Sequence, residues 1–470
     1  MALNPVNPDT TVDTDAIRQI VSQNFPESLD QLIALARIPS VAWESFDASK
    51  VQESAEAVAA LAKSVGFDEV RIATAPTDEG KQGYPAVLAR KPAAEGKPTI
   101  LLYAHHDVQP PGDRALWDSE PFEPELRGDR LFGRGAADDK AGVIAHISAV
   151  RALEAAMPGH GLGISLFIEG EEEAGSPSFR NFLEENRADL AADVIVVADS
   201  ANWAVGTPAL TTSLRGMVAG EFEIRVLEHA VHSGMFGGPV LDAPLLAARL
   251  VASLHDDDGN VAIKGLLSKE EADVDYDDAQ FRSDSSVVSG YQLAGTGKLT
   301  DRLWNKPAIS LIGLDMVSVA ESANALIPSI RGKLSMRLAP GQDAAAAGAA
   351  LKKHIESLDL RGAHVSFKLT EEGSSYFQDA ENDAAARLMN DCLRDAWGTE
   401  PVNTGIGGSI PFIADLKELY PSAHILITGV EDPDSRAHSA NESLHVPEFE
   451  RAIVAESLLL ARLANNGLGE

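Results

Sequence analysis

The stretch TILLYAHHD, residues 99–107, decides how this chain is read: an apolar run closes on two histidines and an aspartate. Buried strands of an α/β sheet have this texture, because a strand covered on both faces needs apolar residues without alternation. Three further runs share it, GLGISLFIEGE (161–171), ADVIVVADS (192–200) and HILITGV (424–430). Between the first two lies DDKAGVIAHISAVRALEAAM (138–157), in which Val143, Ile144, Ile147, Val150 and Leu153 recur at helical spacing. A βαβ unit follows, and with it an α/β domain built on a mixed, mainly parallel sheet flanked by helices.

From about Ser213 the texture changes. EFEIRV (221–226) alternates like a half-buried strand and LDAPLLAARLVASL (241–254) reads as a helix; KLSMRL (333–338), AAAAGAALKKHIESL (344–358) and AHVSFKL (363–369) then give strand, helix, strand. This order predicts an inserted α+β two-layer domain, residues 213–383, with helices on one face of an antiparallel sheet. The larger domain is then discontinuous, formed by 1–212 and 384–470, and two cores suit a chain of 470 residues. The acidic, weakly periodic region 256–300 is expected as long loops.

Lys and Arg total 39 against 71 Asp and Glu, a formal net charge of -32, which opposes binding to nucleic acid or to an anionic membrane. The start, MALNPVNPDTTVDTD, has neither a basic nor an apolar leader region, and no run of 18 apolar residues occurs. The single cysteine, Cys392, cannot form an intramolecular disulfide. The expectation is a cytoplasmic protein.

In a strand, His105 and Asp107 face one way and His106 the other. His105 can therefore ligate a cation through one ring nitrogen while Asp107 holds the ring, leaving His106 a structural role. The ends of the other runs supply company, where open α/β sheets place their binding crevices. GRGAADDKAG (133–142) puts Asp138 where a dinucleotide-binding loop would carry its third glycine; a carboxylate there repels phosphate and suits a cation, the plainer alternative being a helix N-cap. EGEEEAGS (169–176) gathers four glutamates in five residues, costly unless they are solvated or share a cation. Asp199 closes VVADS, and His438 lies in SRAHSANES (435–443). GIGGSIP (405–411) is a glycine-rich turn whose backbone N–H groups, around Gly408, and Ser409 hydroxyl could hold a carboxylate.

The segments YAHHDVQP, GRGAADDKAG, EGEEEAGS, VVADS, AVHSGMFGG, GGSIP and RAHSANE, in this order from residue 103 to 442, resemble the M20 metallopeptidase family. This is the aminoacylase and carboxypeptidase G2 group, with carnosinase-like dipeptidases nearest in pattern. The resemblance implies a zinc-exopeptidase-type catalytic domain with a lid or dimerisation insert. It implies two divalent metal ions per subunit, Zn2+ by default with Mn2+ or Co2+ acceptable to the same ligands, bridged by Asp138. His105 and Asp199 would complete one site, Glu173 and His438 the other. Glu172 matches the general base acting with a metal-bridging hydroxide, and Asp107 the residue that orients His105. His232 resembles a histidine that reaches the neighbouring active site of a homodimer and stabilises the oxyanion. Arg337, Asn324, Gly408 and Ser409 match contacts to substrate, the carboxylate foremost. Ala104, His106 and an extra alanine in DDKAG depart from the family's pattern without removing a ligand. The activity implied is hydrolysis of the amide bond of dipeptides or short peptides with a free C-terminal carboxylate. Alternatives are deacylation or desuccinylation of an N-acyl amino acid, and a non-catalytic carboxylate-binding protein on the same fold.

Overall fold

The structure is a computed structural model that describes residues 12–408 and 411–468. The chain forms two compact units, one of residues up to Thr211 with Asp379–Asn403 and the chain from Asp415 onward, the other of Thr212–Gln378 with Thr404–Ala414.

In the first unit the strand Thr99–His105 is buried from Ile100 to His105. It runs parallel to Gly163–Glu169 on one side and to Val194–Val197 on the other, and His424–Ile427 runs parallel to Val194–Val197. Ala86–Lys91 pairs antiparallel with Gly163–Glu169, and Glu69–Ala73 closes that edge, also antiparallel. The sheet is thus mixed and mainly parallel, as the apolar runs require.

Alternation along the strands assigns the two faces. Ile100, Leu102, Ala104, Ile164, Leu166 and Ile168 enter the core shared with the helices Thr14–Ala36, Lys140–Ala156 and Val446–Asn466. Tyr103 and Phe167 turn the other way, where their rings meet Phe179 at 5.9 and 5.6 Å, and Phe182 stacks on Phe167 at 4.8 Å. The helix Lys140–Ala156 is buried without interruption from Lys140 to Val150, as befits a helix packed against two others. Its cap position is Asp139, which makes no side-chain cap bond, so the N-cap alternative for Asp138 does not hold. Gly142 lets this helix start close to the segment that follows Val194–Val197: a Cβ there would lie 2.7 Å from the Ala198 carbonyl.

The second unit carries the antiparallel sheet Ala308–Leu314, Ser329–Leu338, Gly216–Arg225, His364–Gly373, in that order. Ser329–Leu338 buries every second residue, and Ile330, Leu334 and Met336 join Phe222 and Ile224 beneath the helices Ala243–Ala252 and Ala344–Glu356. Most of 256–300 is irregular, with one short helix, Asp278–Asp284, inside it and the helix Leu299–Trp304 starting at its end. No helix among the described residues is long and apolar enough to cross a membrane.

Candidate metal centre

The four parallel strands of the first unit point the same way, so the loops beyond their C-terminal ends converge. There the structure brings His105, Asp107, Asp138, Glu172, Glu173, Asp199 and His438 together. Asp138 offers one carboxylate oxygen to His105 Nε2 at 3.1 Å and the other to His438 Nε2 at 3.0 Å. His438 Nε2 also lies 3.2 Å from Glu173, while His105 Nε2 is 4.0 Å from both Glu172 and Asp199. Two overlapping groups, His105 with Glu172 and Asp199 and His105 with Asp138 and Glu173, each hold their donor atoms within 4.8 Å.

The electrostatics are those of a site short of positive charge. Its two imidazoles are both drawn toward the charged form: His438 is pushed up to about 11 by its bonds to Asp138 and Glu173. Burial opposes the charge on His105, yet Asp107 and Asp138 raise its pKa well above the ordinary value. Burial raises Glu172 to about 9 and Asp199 to about 6, with the neighbouring carboxylates adding to both and His105 opposing. Burial also works to raise Asp138, but the two imidazoles hold it below the usual carboxylate range. Oxygen and imidazole donors at this spacing, with more carboxylates than the ring cations can neutralise, fit divalent cations.

The supporting contacts are specific. Asp107 lies 3.4 Å from His105 Nδ1 and its two oxygens accept the backbone N–H groups of Glu172 and Glu173, each at 3.1 Å. Gln109 donates to both oxygens of Glu173, from its backbone at 3.1 Å and its side chain at 2.7 Å; it stands in the YAHHDVQP motif, which carried that signal. Asp139 accepts the backbone N–H of His105 at 3.2 Å. His106 is fully buried, bonded through Nε2 to the Pro85 carbonyl at 2.9 Å, and burial lowers it to about 4. Glu431, in the loop after His424–Ile427, was not singled out by the sequence; burial first, then Asp138 and Asp199, raise its carboxyl well above the ordinary value.

Of the remaining candidates, His232, Asn324, Arg337 and Gly408 belong to the second unit. His232 is exposed, and its Nδ1 accepts the Gly234 N–H at 3.0 Å, which leaves the proton of the neutral ring on Nε2. The Asn324 carbonyl accepts the Ser233 N–H at 3.1 Å. Arg337 faces Met217 across the sheet, and its charge is felt by Arg215. Arg215 donates to the Gly407 carbonyl at 3.1 Å, and burial, then Arg337, pull it down to about 10. Ser409 lies outside the described residues.

Comparison with known proteins places the chain in a family. The chain is 34% identical over 415 residues to a cysteinylglycine-S-conjugate dipeptidase of Corynebacterium striatum, covering 87% of this chain and 89% of that protein. It is 29% identical over 385 residues to human beta-Ala-His dipeptidase, covering 77% and 74%. Its fold matches the crystal structure of human carnosine dipeptidase 1 with a TM-score of 0.72 at 23% identity, over 96% of this chain and 98% of that one. The dipeptidase Dug1p of Saccharomyces cerevisiae matches with a TM-score of 0.73 at 22% identity, over 96% and 98%. The pattern of peptidase family M20/M25/M40 spans residues 101–462, the greater part of the chain, and the protein is therefore a metallopeptidase of that family.

Proposed function

We propose that the protein is a di-metal dipeptidase that cleaves the amide bond of dipeptides or short peptides bearing a free C-terminal carboxylate. The observation that carries this reading is Asp138, whose two oxygens face imidazoles from segments far apart in sequence at 3.1 and 3.0 Å, so that one carboxylate could serve two cations. His105 and Asp199 would complete one site, Glu173 and His438 the other. Two divalent ions, zinc by default with manganese or cobalt suited to the same donors, would supply Lewis-acid activation of a water and of the scissile carbonyl. Glu172 would take the water's proton and return it to the leaving amine, a role open to a carboxylate within reach of the His105 ring. Asp107 fixes the His105 ring and the turn that carries Glu172.

Arg337, Asn324, Gly408 and Ser409 would receive the substrate's carboxylate, and the Nε2 proton of His232 would reach the oxyanion in the neighbouring subunit of a homodimer. The dimer is supported by an apolar edge: Ala308–Leu314 is the outer strand of its sheet, with Ile312 57% and Leu314 44% exposed. Deacylation of N-acyl amino acids uses the same machinery and is the competing activity.

The test is metal content combined with a substrate panel. Two ions per chain, and hydrolysis of Gly- and Ala-containing dipeptides above N-acetyl or N-succinyl amino acids, are expected. Loss of activity in a chelator should reverse on adding Zn2+, Mn2+ or Co2+. Full metal occupancy without turnover on any of these substrates would refute the reading.

A further inference from the structure

The motifs GRGAADDKAG and RAHSANE each contain a charged residue that the metal site does not use, Arg134 and Glu442. Both side chains are buried, 1% and 0% exposed, and Arg134 Nη1 donates to Glu442 Oε2 at 2.6 Å. The remaining acceptor capacity of Glu442 goes to one stretch of backbone. Oε2 also takes the Gly135 N–H at 3.0 Å, while Oε1 takes the N–H groups of Ala137 and Asp138 at 3.0 and 3.1 Å. Arg134 in turn donates through Nη2 to the carbonyls of Ser439 at 3.1 Å and Pro110 at 3.5 Å, and the Gly133 N–H meets the Glu442 carbonyl at 3.0 Å.

These contacts cross-tie two segments far apart in sequence. One carries Asp138, on whose own N–H the Glu442 carboxylate ends; the other carries His438, next to Ser439, whose carbonyl Arg134 holds. The second segment needs holding, because Arg436, His438 and Asn441 all have positive φ, 56°, 64° and 62°, a region that residues with side chains disfavour. A buried ion pair gives little net stability over an apolar replacement, so the pair is better accounted for by the geometry it imposes.

We propose that Glu442, with Arg134, is a positioning residue that sets the separation of Asp138 and His438 and thereby the affinity of the cation site formed by Asp138, Glu173 and His438. His105 and Asp199 stand on other strand ends and receive no bond from the pair. The inference rests on the di-metal reading above.

The experiment is a Zn2+ titration of the full-length, metal-stripped protein by chelator competition, on wild type, Glu442→Gln, Glu442→Asp and Arg134→Lys, with circular dichroism to verify folding. Glu442→Gln turns an amide NH2 toward backbone N–H groups. Arg134→Lys leaves the carboxylate's backbone bonds in place and removes the fork to Ser439, so it decides the matter should Glu442→Gln fail to fold. The expected result is the site holding His438 weakened about 10–100-fold and the other, which shares Asp138 but keeps His105 and Asp199, weakened less, with Glu442→Asp intermediate. Two unchanged sites in Arg134→Lys and in folded Glu442→Gln would overturn the proposal, as would equal weakening of both. A wild type that binds no ion overturns the metal reading itself, which separates the two failures.

Discussion

Asp107 accepts the backbone N–H of Glu172 at 3.1 Å, although the two residues lie on different strand ends and 65 positions apart. With its second oxygen on the Glu173 N–H and its flank against the His105 ring, one carboxylate aligns the imidazole of one site with the turn that carries both glutamates. Asp107→Asn keeps the shape but has only one acceptor oxygen for two N–H groups. Its metal affinity should fall about 10–100-fold, read by chelator competition. An unchanged affinity would leave Asp107 without the orienting role.

Glu172→Gln separates proton transfer from metal binding. It removes the proposed base while leaving Asp138, Glu173, His105, Asp199 and His438 untouched. The expected outcome is a wild-type metal count with kcat lowered by about 10²–10⁴. Steady-state kinetics beside elemental analysis on the same sample checks both, and a wild-type rate would exclude this residue as the base.

His146 offers a test of buried charge away from the candidate site. Its Nδ1 faces Glu456 at 2.7 Å and its Nε2 the Tyr103 carbonyl at 2.9 Å, so both ring nitrogens meet acceptors and only the imidazolium satisfies both. Burial opposes that charge, but Glu456 outweighs it and raises the pKa above 6.5. A folded-state pKa above the unfolded one gives stability that is complete below the unfolded value and is lost as pH rises through the folded value. The stability gap between wild type and His146→Gln, measured by urea unfolding, should therefore be largest below the ordinary value of 6.5 and shrink as the pH rises above it. A gap that widens with pH would contradict the charged assignment.

Cys392 is fully buried, and burial pushes its thiol up to about 12. Thiolate, not thiol, is the nucleophile, so a thiol reagent at pH 8 should label none of the native protein and one site per chain in denaturant. Labelling that tracks unfolding then serves as a stability probe without any engineered residue.

Much of the architecture was legible locally. The runs ending at His105, Glu169 and Val197 are strands because burial on both faces admits no alternation, and the 3.6-residue spacing from Val143 to Leu153 is that of the helix Lys140–Ala156. Strand order was not legible, since register between distant segments depends on the assembled sheet.

The cluster EGEEEAGS shows where sequence stops. By itself it determined that several carboxylates stand at one strand end and that such a density needs solvent or a cation. Only the tertiary structure separated them. Glu169 turns under the Tyr103 hydroxyl, which donates to it at 2.6 Å, and Glu171 takes the N–H groups of Tyr84 and Ser178 at 2.7 and 2.8 Å as a buried tie between loops. Glu172 and Glu173 alone face the imidazoles. Four identical or adjacent side chains receive different tasks because an acid's role is set by the donors folding brings within about 3 Å of its oxygens, and those donors come from parts of the chain that local pattern does not connect.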